Sequence, residues 1–195
     1  MLKGLRLNMI KKEYVQGLVL AGGQGSRMGG VDKGLQEWQS KPLVGYCLSA
    51  LVPLCHSVFI SCNRNFNKYS LLADEAIPDS VEGFQGPLSG LVSAFPHVTA
   101  DWLLVVPCDT PLITADVLSL LLEETKNSPD KAIFALAGED KDHPLHSLIH
   151  KSAFASVCSA FEEGKRSVYR VFNSIGVEWV LVPDETQMAN INTLE

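Results

Sequence analysis

The amino-acid sequence predicts an α/β protein with one doubly wound, mostly parallel sheet of the Rossmann-like type. Short apolar runs alternate along the chain with patterns of helical period, and a glycine cluster follows the first run directly. Runs without polar alternation are typical of strands buried on both faces of a parallel sheet. Strands that alternate with helices predict an α/β class. The length of 195 residues suits a single domain, which we assign to residues 16–195, after an N-terminal extension of residues 1–15.

The elements follow in order from these patterns. Each predicted strand is a short apolar run, and these runs span residues 17–20, 58–61, 102–106, 132–137, 145–149 and 177–182. Apolar residues at helical spacing predict helices at residues 42–51, 88–95, 114–126 and 152–163. We expect Thr114 to cap its helix, with Asp116 in the first turn, and Gly164 to end the last helix.

Composition excludes several classes of function. The net charge is −6 and like charges form no block of five, so a nucleic-acid polymer is not an expected partner. The longest apolar runs fall short of the ~18 residues that cross a membrane, and residues 1–13 do not read as a secretory signal. Five cysteines without metal spacing indicate reduced thiols. We therefore expect a cytoplasmic protein.

The glycine-rich segment after the first strand favours a phosphate-binding loop. Five glycines within residues 22–30 let backbone N–H groups face an anion, and Arg27 and Lys33 add positive charge. A mobile surface loop is the alternative. A Walker loop is excluded because Val31 stands where lysine is required, and a dinucleotide fingerprint is excluded by Met28.

A Pro-Cys-Asp-Thr-Pro sequence follows the third strand. Ligands of doubly wound sheets bind at the carboxyl ends of the strands, so Asp109 can hold Mg²⁺ beside a triphosphate there. Alternatively, Asp109 only organises the turn before Pro111. We interpret Cys108 as a strand residue and not a nucleophile. A separation above ~15 Å between Asp109 and the loop that carries Lys33 would leave no shared pocket.

The same motifs resemble those of the molybdenum cofactor guanylyltransferases, in order, from about residue 16 to the end. The matching blocks are residues 20–34, 41–43, 63–64, 79, 86–90, 107–111, 142–144 and 190–193. The glycine-rich opening is shared with sugar-nucleotide pyrophosphorylases and cytidylyltransferases. The Gly-Gly-Val-Asp-Lys, Pro-Cys-Asp-Thr-Pro and Asp-His-Pro sequences look specific to the guanylyl branch. The sequence departs from the family at Leu194, where the family usually has proline.

The resemblance implies a fold of the nucleotide-diphospho-sugar transferase type and a set of site residues. The implied GTP-binding residues are Leu20, Ala21, Gly22, Gly23, Lys33, Asn63, Asp79 and Asp109. Arg27, Lys33 and Asp109 would be catalytic, with Asp109 as the Mg²⁺ ligand. We expect Asn190 or Asn192 to reach the metal or the second substrate, and His143 is a candidate contact for the pterin.

The implied reaction transfers GMP from GTP to the terminal phosphate of molybdenum-molybdopterin and releases pyrophosphate. A monomer is expected, with molybdenum-insertion and molybdoenzyme chaperone proteins as possible partners. Two alternatives stay open. One is a nucleotidyltransferase of the same fold that uses CTP or a sugar phosphate. The other is a nucleotide-binding partner of molybdoenzyme assembly without turnover.

Overall fold

The computed structural model describes residues 10–22, 32–79 and 85–191, and every structural statement concerns these residues. The strands are β1 (Val15–Leu20), β2 (Glu37–Trp38), β3 (Lys41–Pro42), β4 (Ser57–Ser61), β5 (Glu75–Ile77), β6 (Trp102–Pro107), β7 (Ile133–Ala137), β8 (Asp142–His150) and β9 (Glu178–Leu181). The α-helices are α1 (Leu43–Leu51), α2 (Phe66–Tyr69), α3 (Pro87–Ala94), α4 (Ala115–Glu124), α5 (Phe154–Glu162) and α6 (Val168–Ile175). Short 3₁₀ turns include Lys33–Leu35 and Glu185–Met188.

The central sheet has the strand order β5-β4-β1-β6-β8-β7-β9. Its first four strands are parallel, and Leu20 at the end of β1 pairs with Ser61 on one side and Pro107 on the other. The carboxyl ends of β1, β4 and β6 therefore meet at one edge. Strands β2 and β3 form a separate antiparallel pair.

The other part of the sheet is less regular. Strand β8 runs antiparallel to both β6 and β7, while β7 and β9 are parallel. Ser147 pairs with Ala135, but the next pair joins His143 to Leu136, so residues 144–146 form a bulge in β8. Bulges bend a strand and re-aim its side chains.

Helices cover both faces of the sheet, as predicted. All six residues of β1 are buried. Val19 packs in a core cluster with α1 and α4, and Leu18 packs in a second cluster with α3, α5 and α6. No helix among the described residues has both the length and the apolar character to cross a membrane.

Most of the predicted elements are confirmed, with corrections at the less regular ones. The Thr114 side chain accepts a hydrogen bond from Val117 N, so its predicted cap is present. Strands β2, β3 and β5 and helix α2 were not predicted, because they have two to four residues each and carry little periodic signal. Helix α6 was not predicted either, although Val168, Val171 and Phe172 share a face at helical spacing. Strand β8 begins at Asp142, earlier than expected, because the bulge breaks its pattern.

Candidate functional site

A cavity of about 560 Å³ lies at the carboxyl edge of the parallel strands. The ends of β1, β4 and β6 line one side, and the first half of β8 lines the other. Its polar lining residues include Lys33, Ser61, Asp79, Asp109, Lys141, Asp142, His143, His146 and Asn190. Leu20, Ala21 and Gly22 also line it. The position follows the rule for open α/β sheets.

Lys33 and Asp109 meet in this cavity. Lys33 Nζ donates a hydrogen bond to Asp109 Oδ2 at 2.8 Å, although the two residues are 76 positions apart. Each side chain is 21% exposed, so the ion pair is accessible to a ligand. The pair meets the geometric condition for a shared phosphate pocket. A lysine can neutralise phosphate charge, and a carboxylate can hold a divalent cation.

Asp79 is held at the cavity by residues of β4 and of the loop that follows it. Ser61 Oγ donates to Asp79 Oδ1 at 3.3 Å, and Asn63 Nδ2 donates to Asp79 Oδ2 at 2.8 Å. Asn63 Nδ2 also donates to Gly22 O at 3.1 Å, and Asn63 Oδ1 accepts from Asp79 N at 3.3 Å. Both Nδ2 and Oδ1 of Asn63 are therefore hydrogen-bonded to other residues of the protein. Asp79 faces the cavity, whereas Asn63 supports it.

Cys108 is buried beside Asp109. Burial, followed by the nearby Asp109 carboxylate, raises the pKa of the Cys108 thiol well above its usual range. Cys47 donates to Pro107 O at 3.2 Å, and burial raises the pKa of its thiol to about 12. Both thiols therefore stay protonated at neutral pH. This agrees with the interpretation of Cys108 as a strand residue, because the thiolate is the nucleophilic form.

A buried histidine, His146, was missed by the sequence analysis. It is 2% exposed, and its Nε2 lies 2.9 Å from Thr110 Oγ1, in the turn that carries Asp109. Burial, with a smaller contribution from His143, lowers the pKa of His146 to about 3, so the ring is neutral. Its Nδ1 has no hydrogen-bond partner among the described residues. A histidine inside the predicted strand 145–149 was the signal available in the sequence.

His143 lines the cavity from β8, at the edge of the bulge. Its ring centroid lies 5.9 Å from that of His146. Burial, together with Lys141, lowers the pKa of His143, which favours a neutral ring. A neutral imidazole can donate from one nitrogen and accept at the other.

The last described residues contribute to the cavity lining. Ile191 N donates to Asp109 O at 3.0 Å, and this bond brings Asn190 to the cavity wall. Asn190, one of the two predicted asparagines, therefore lines the cavity. Gly23, Arg27 and Asn192 lie outside the described residues, and their assignments stay predictions.

The donors present fit a divalent ion held partly by substrate. In residues 10–22, 32–79 and 85–191, no group of three His, Cys, Asp or Glu side chains could form a protein cage for a metal. Mg²⁺ commonly binds through one or two carboxylates, several waters and substrate phosphates. Asp109, at the edge of a cavity with room for phosphates, suits that mode.

A family profile and a curated relative match most of the chain. The profile of the MobA-like NTP transferase domain matches residues 17–179. A molybdenum cofactor guanylyltransferase of Pseudomonas syringae pv. syringae is 38% identical over 177 residues, which cover 90% of this chain and 88% of the relative.

Solved structures share the fold. Molybdopterin-guanine dinucleotide biosynthesis protein A from Archaeoglobus fulgidus superposes with a TM-score of 0.74 at 23% identity, over 91% of this chain and 92% of that one. A Mycobacterium tuberculosis H37Rv protein, Rv0371c, crystallised in complex with manganese, gives 0.66 at 16% identity, over 87% and 88%. The profile match and the curated relative show that the chain belongs to the MobA-like NTP transferase family and is a nucleotidyltransferase.

Proposed function

We propose that this protein transfers the guanylyl group of GTP to the terminal phosphate of molybdenum-molybdopterin. The observation that carries the proposal is the Lys33–Asp109 pair at the ligand edge of the sheet, in a chain 38% identical to a guanylyltransferase. A phosphate oxygen of the pterin attacks the α-phosphorus of GTP. The bond from the α-phosphorus to the bridging oxygen breaks, and pyrophosphate leaves with the electron pair.

The chemical difficulty is repulsion between two anions, since the nucleophile is already ionised. On this proposal, Lys33 releases Asp109 when GTP enters and turns its ammonium group to the phosphates. Asp109 is then free to hold a divalent ion, which we propose is Mg²⁺. The manganese complex of the Mycobacterium tuberculosis relative supports a divalent ion. When bound, the ion neutralises phosphate charge, and positioning supplies the rest of the rate enhancement.

The nucleoside is proposed to lie against Asp79. Its carboxylate can accept hydrogen bonds from the N–H edge of guanine or from a ribose hydroxyl. Asn63 contributes by holding that carboxylate and Gly22 in place. The main chain of Leu20, Ala21, Gly22 and Gly23 would complete the nucleotide site, with Arg27 as a further cation.

The acceptor is proposed to enter from the β8 side of the cavity. Lys141 offers positive charge to the pterin phosphate, and His143 and Asn190 offer hydrogen bonds. On this proposal the two anionic substrates bind at different parts of the cavity lining, and both approach the pair of Lys33, from the 3₁₀ turn Lys33–Leu35, and Asp109, which follows β6. We further propose that a monomer carries out the reaction in the cytoplasm. Its product would pass to molybdenum-insertion and molybdoenzyme chaperone proteins.

The test is incubation of the protein with GTP, Mg²⁺ and molybdenum-loaded molybdopterin, followed by mass analysis of the pterin. The expected product gains the mass of a guanylyl group, with one pyrophosphate released per product. A parallel reaction with CTP tests the base. A cytidylyl product in preference to the guanylyl product, or binding of GTP without pyrophosphate release, would contradict the proposal.

A further inference from the structure

A buried carboxylate precedes Lys33 directly. Asp32 is 8% exposed, and both of its oxygens have partners. Tyr69 Oη donates to Oδ1 at 2.5 Å, and Asn65 Nδ2 donates to Oδ2 at 2.9 Å. Arg64 Nε lies 3.7 Å from the same Oδ2. A buried carboxylate with this many donors is held in a single orientation.

The three consecutive residues 63–65 contact both Asp32 and the residues around Asp79. Asn63 donates to Gly22 O and to Asp79 Oδ2, while Asn65 donates to Asp32. Gly22 and Asp32 are the described residues on either side of the glycine-rich segment. One tripeptide therefore connects both ends of that segment with Asp79.

The contact between Tyr69 and Asp32 depends on a glycine. Tyr69 is fully buried, and a Cβ added to Gly34 would stand 2.5 Å from Tyr69 Oη. Only glycine lets the hydroxyl approach the 3₁₀ turn Lys33–Leu35 this closely. In that turn Leu35 N donates to Asp32 O at 3.2 Å. Both the side chain and the main chain of Asp32 are thus fixed next to Lys33.

We propose that Asp32, Asn65 and Tyr69 are positioning residues that aim Lys33 at the nucleotide phosphates. Lysine has a long, flexible side chain, and ordering it costs conformational entropy. Fixing the main chain at its base directs the ammonium group into the cavity, where it now contacts Asp109. Because residues 63–65 also hold Asp79, they link the nucleoside contact to the phosphate contact. The inference relies on the proposed function for its ligand, a nucleoside triphosphate.

A double-mutant cycle tests this role. Tyr69→Phe removes one hydroxyl and retains the buried ring. Calorimetry of GTP binding in the presence of Mg²⁺ should give about tenfold weaker affinity, because the Lys33 side chain must then be ordered when GTP binds. In a Lys33→Ala background the same substitution should weaken binding less than about twofold, because Tyr69 acts through Lys33. Equal weakening in both backgrounds, or none in the first, would overturn the inference.

Two further variants separate positioning from stability. Tyr46→Phe is the matched control, since it deletes a hydroxyl that donates to Trp38 O at 2.7 Å and does not line the cavity. It should leave GTP affinity unchanged. Asn65→Gly retains the left-handed backbone at φ 52° and removes the amide, so it repeats the test if Tyr69→Phe does not fold. Its effect should likewise vanish without Lys33.

The cycle also distinguishes failure of the two proposals. It is run with GTP and with CTP, because Lys33 would contact phosphates common to both. Stronger binding of CTP by the unaltered protein would contradict guanylyl transfer while the coupling remains measurable with CTP. If neither triphosphate binds, both proposals fail.

Discussion

The two sides of the cavity are built differently. On the nucleotide side, parallel strands in regular register end at Leu20, Ser61 and Pro107, and the carboxylates Asp32, Asp79 and Asp109 all have hydrogen-bond partners. On the β8 side, the strand is antiparallel and bulged. There, His146 Nδ1 and Ser147 Oγ are buried without a partner among the described residues.

This difference indicates that the two sides of the cavity have different roles. Satisfied carboxylates in regular strands give a rigid, preorganised surface, which suits stabilisation of charge. A bulge re-aims side chains, and on this side His143 and His146 line the cavity, where imidazole nitrogens can form hydrogen bonds. We therefore expect substitutions on the nucleotide side to change turnover, and substitutions on the β8 side to change acceptor binding and pH response.

The largest effect is expected at Asp109. Asp109→Ala removes the proposed metal ligand and the partner of Lys33, so pyrophosphate release should fall by ~10² or more. Asp101→Ala is the matched control, because Asp101 also pairs with a lysine, Lys151, at 2.7 Å but on an exposed surface. The control should stay within about twofold of the unaltered protein. Activity of Asp109→Ala within a few-fold would contradict the assignment.

The next effect concerns stability and pH. Burial lowers the pKa of His146 to about 3, whereas an unfolded histidine titrates near ~6.5. Between these values the unfolded state binds the extra proton, so stability rises with pH and is lost as pH falls below ~6.5. Between pH 7 and pH 5, protonation of this histidine in the unfolded state should lower the free energy of unfolding by about 2 kcal/mol.

His146→Gln replaces the imidazole with an amide, which does not titrate and can still reach Thr110. Urea unfolding at pH 5, 6 and 7 should show that the variant loses about 2 kcal/mol less than the unaltered protein over this range. The same pH slope in both proteins would mean that His146 is not the buried neutral group inferred from its surroundings.

A smaller effect is expected at His143. Its removal in His143→Ala should raise KM for molybdopterin about tenfold, the value of one lost hydrogen bond, and leave GTP affinity within about twofold. His97→Ala is the control, since His97 is an exposed histidine that contacts Glu75 Oε1 at 2.8 Å. If His143→Ala changed GTP affinity and not KM for the pterin, the assignment of the β8 side to the acceptor would be wrong.

The smallest effect is expected at Cys108. Cys108→Ser should retain turnover within about threefold, because a buried, protonated thiol contributes packing and no nucleophile. Pyrophosphate release and thermal unfolding of the same sample provide the measurement. Abolished activity in a folded variant would show that the thiol takes part in the chemistry.

Prediction from sequence succeeded where one local pattern carries the information. Regular parallel strands gave recognisable apolar runs, and the ligand edge followed from their direction. Lys33 and Asp109 were predicted because each stands at a recognisable place, after a glycine cluster and at a strand end. The start of β8 was predicted wrongly, because the bulge interrupts the periodic pattern on which a strand prediction depends.

The sequence by itself determined the class of fold, the edge of the sheet where the cavity lies and the two charged residues that meet there. Tertiary structure alone decided their supports: Tyr69 on Asp32 across 37 residues, His146 on Thr110 across 36, and the main chain of Ile191 on Asp109. The physical reason is range. Burial patterns are local and repeat along the chain, whereas a hydrogen bond between distant residues leaves no periodic trace in the sequence.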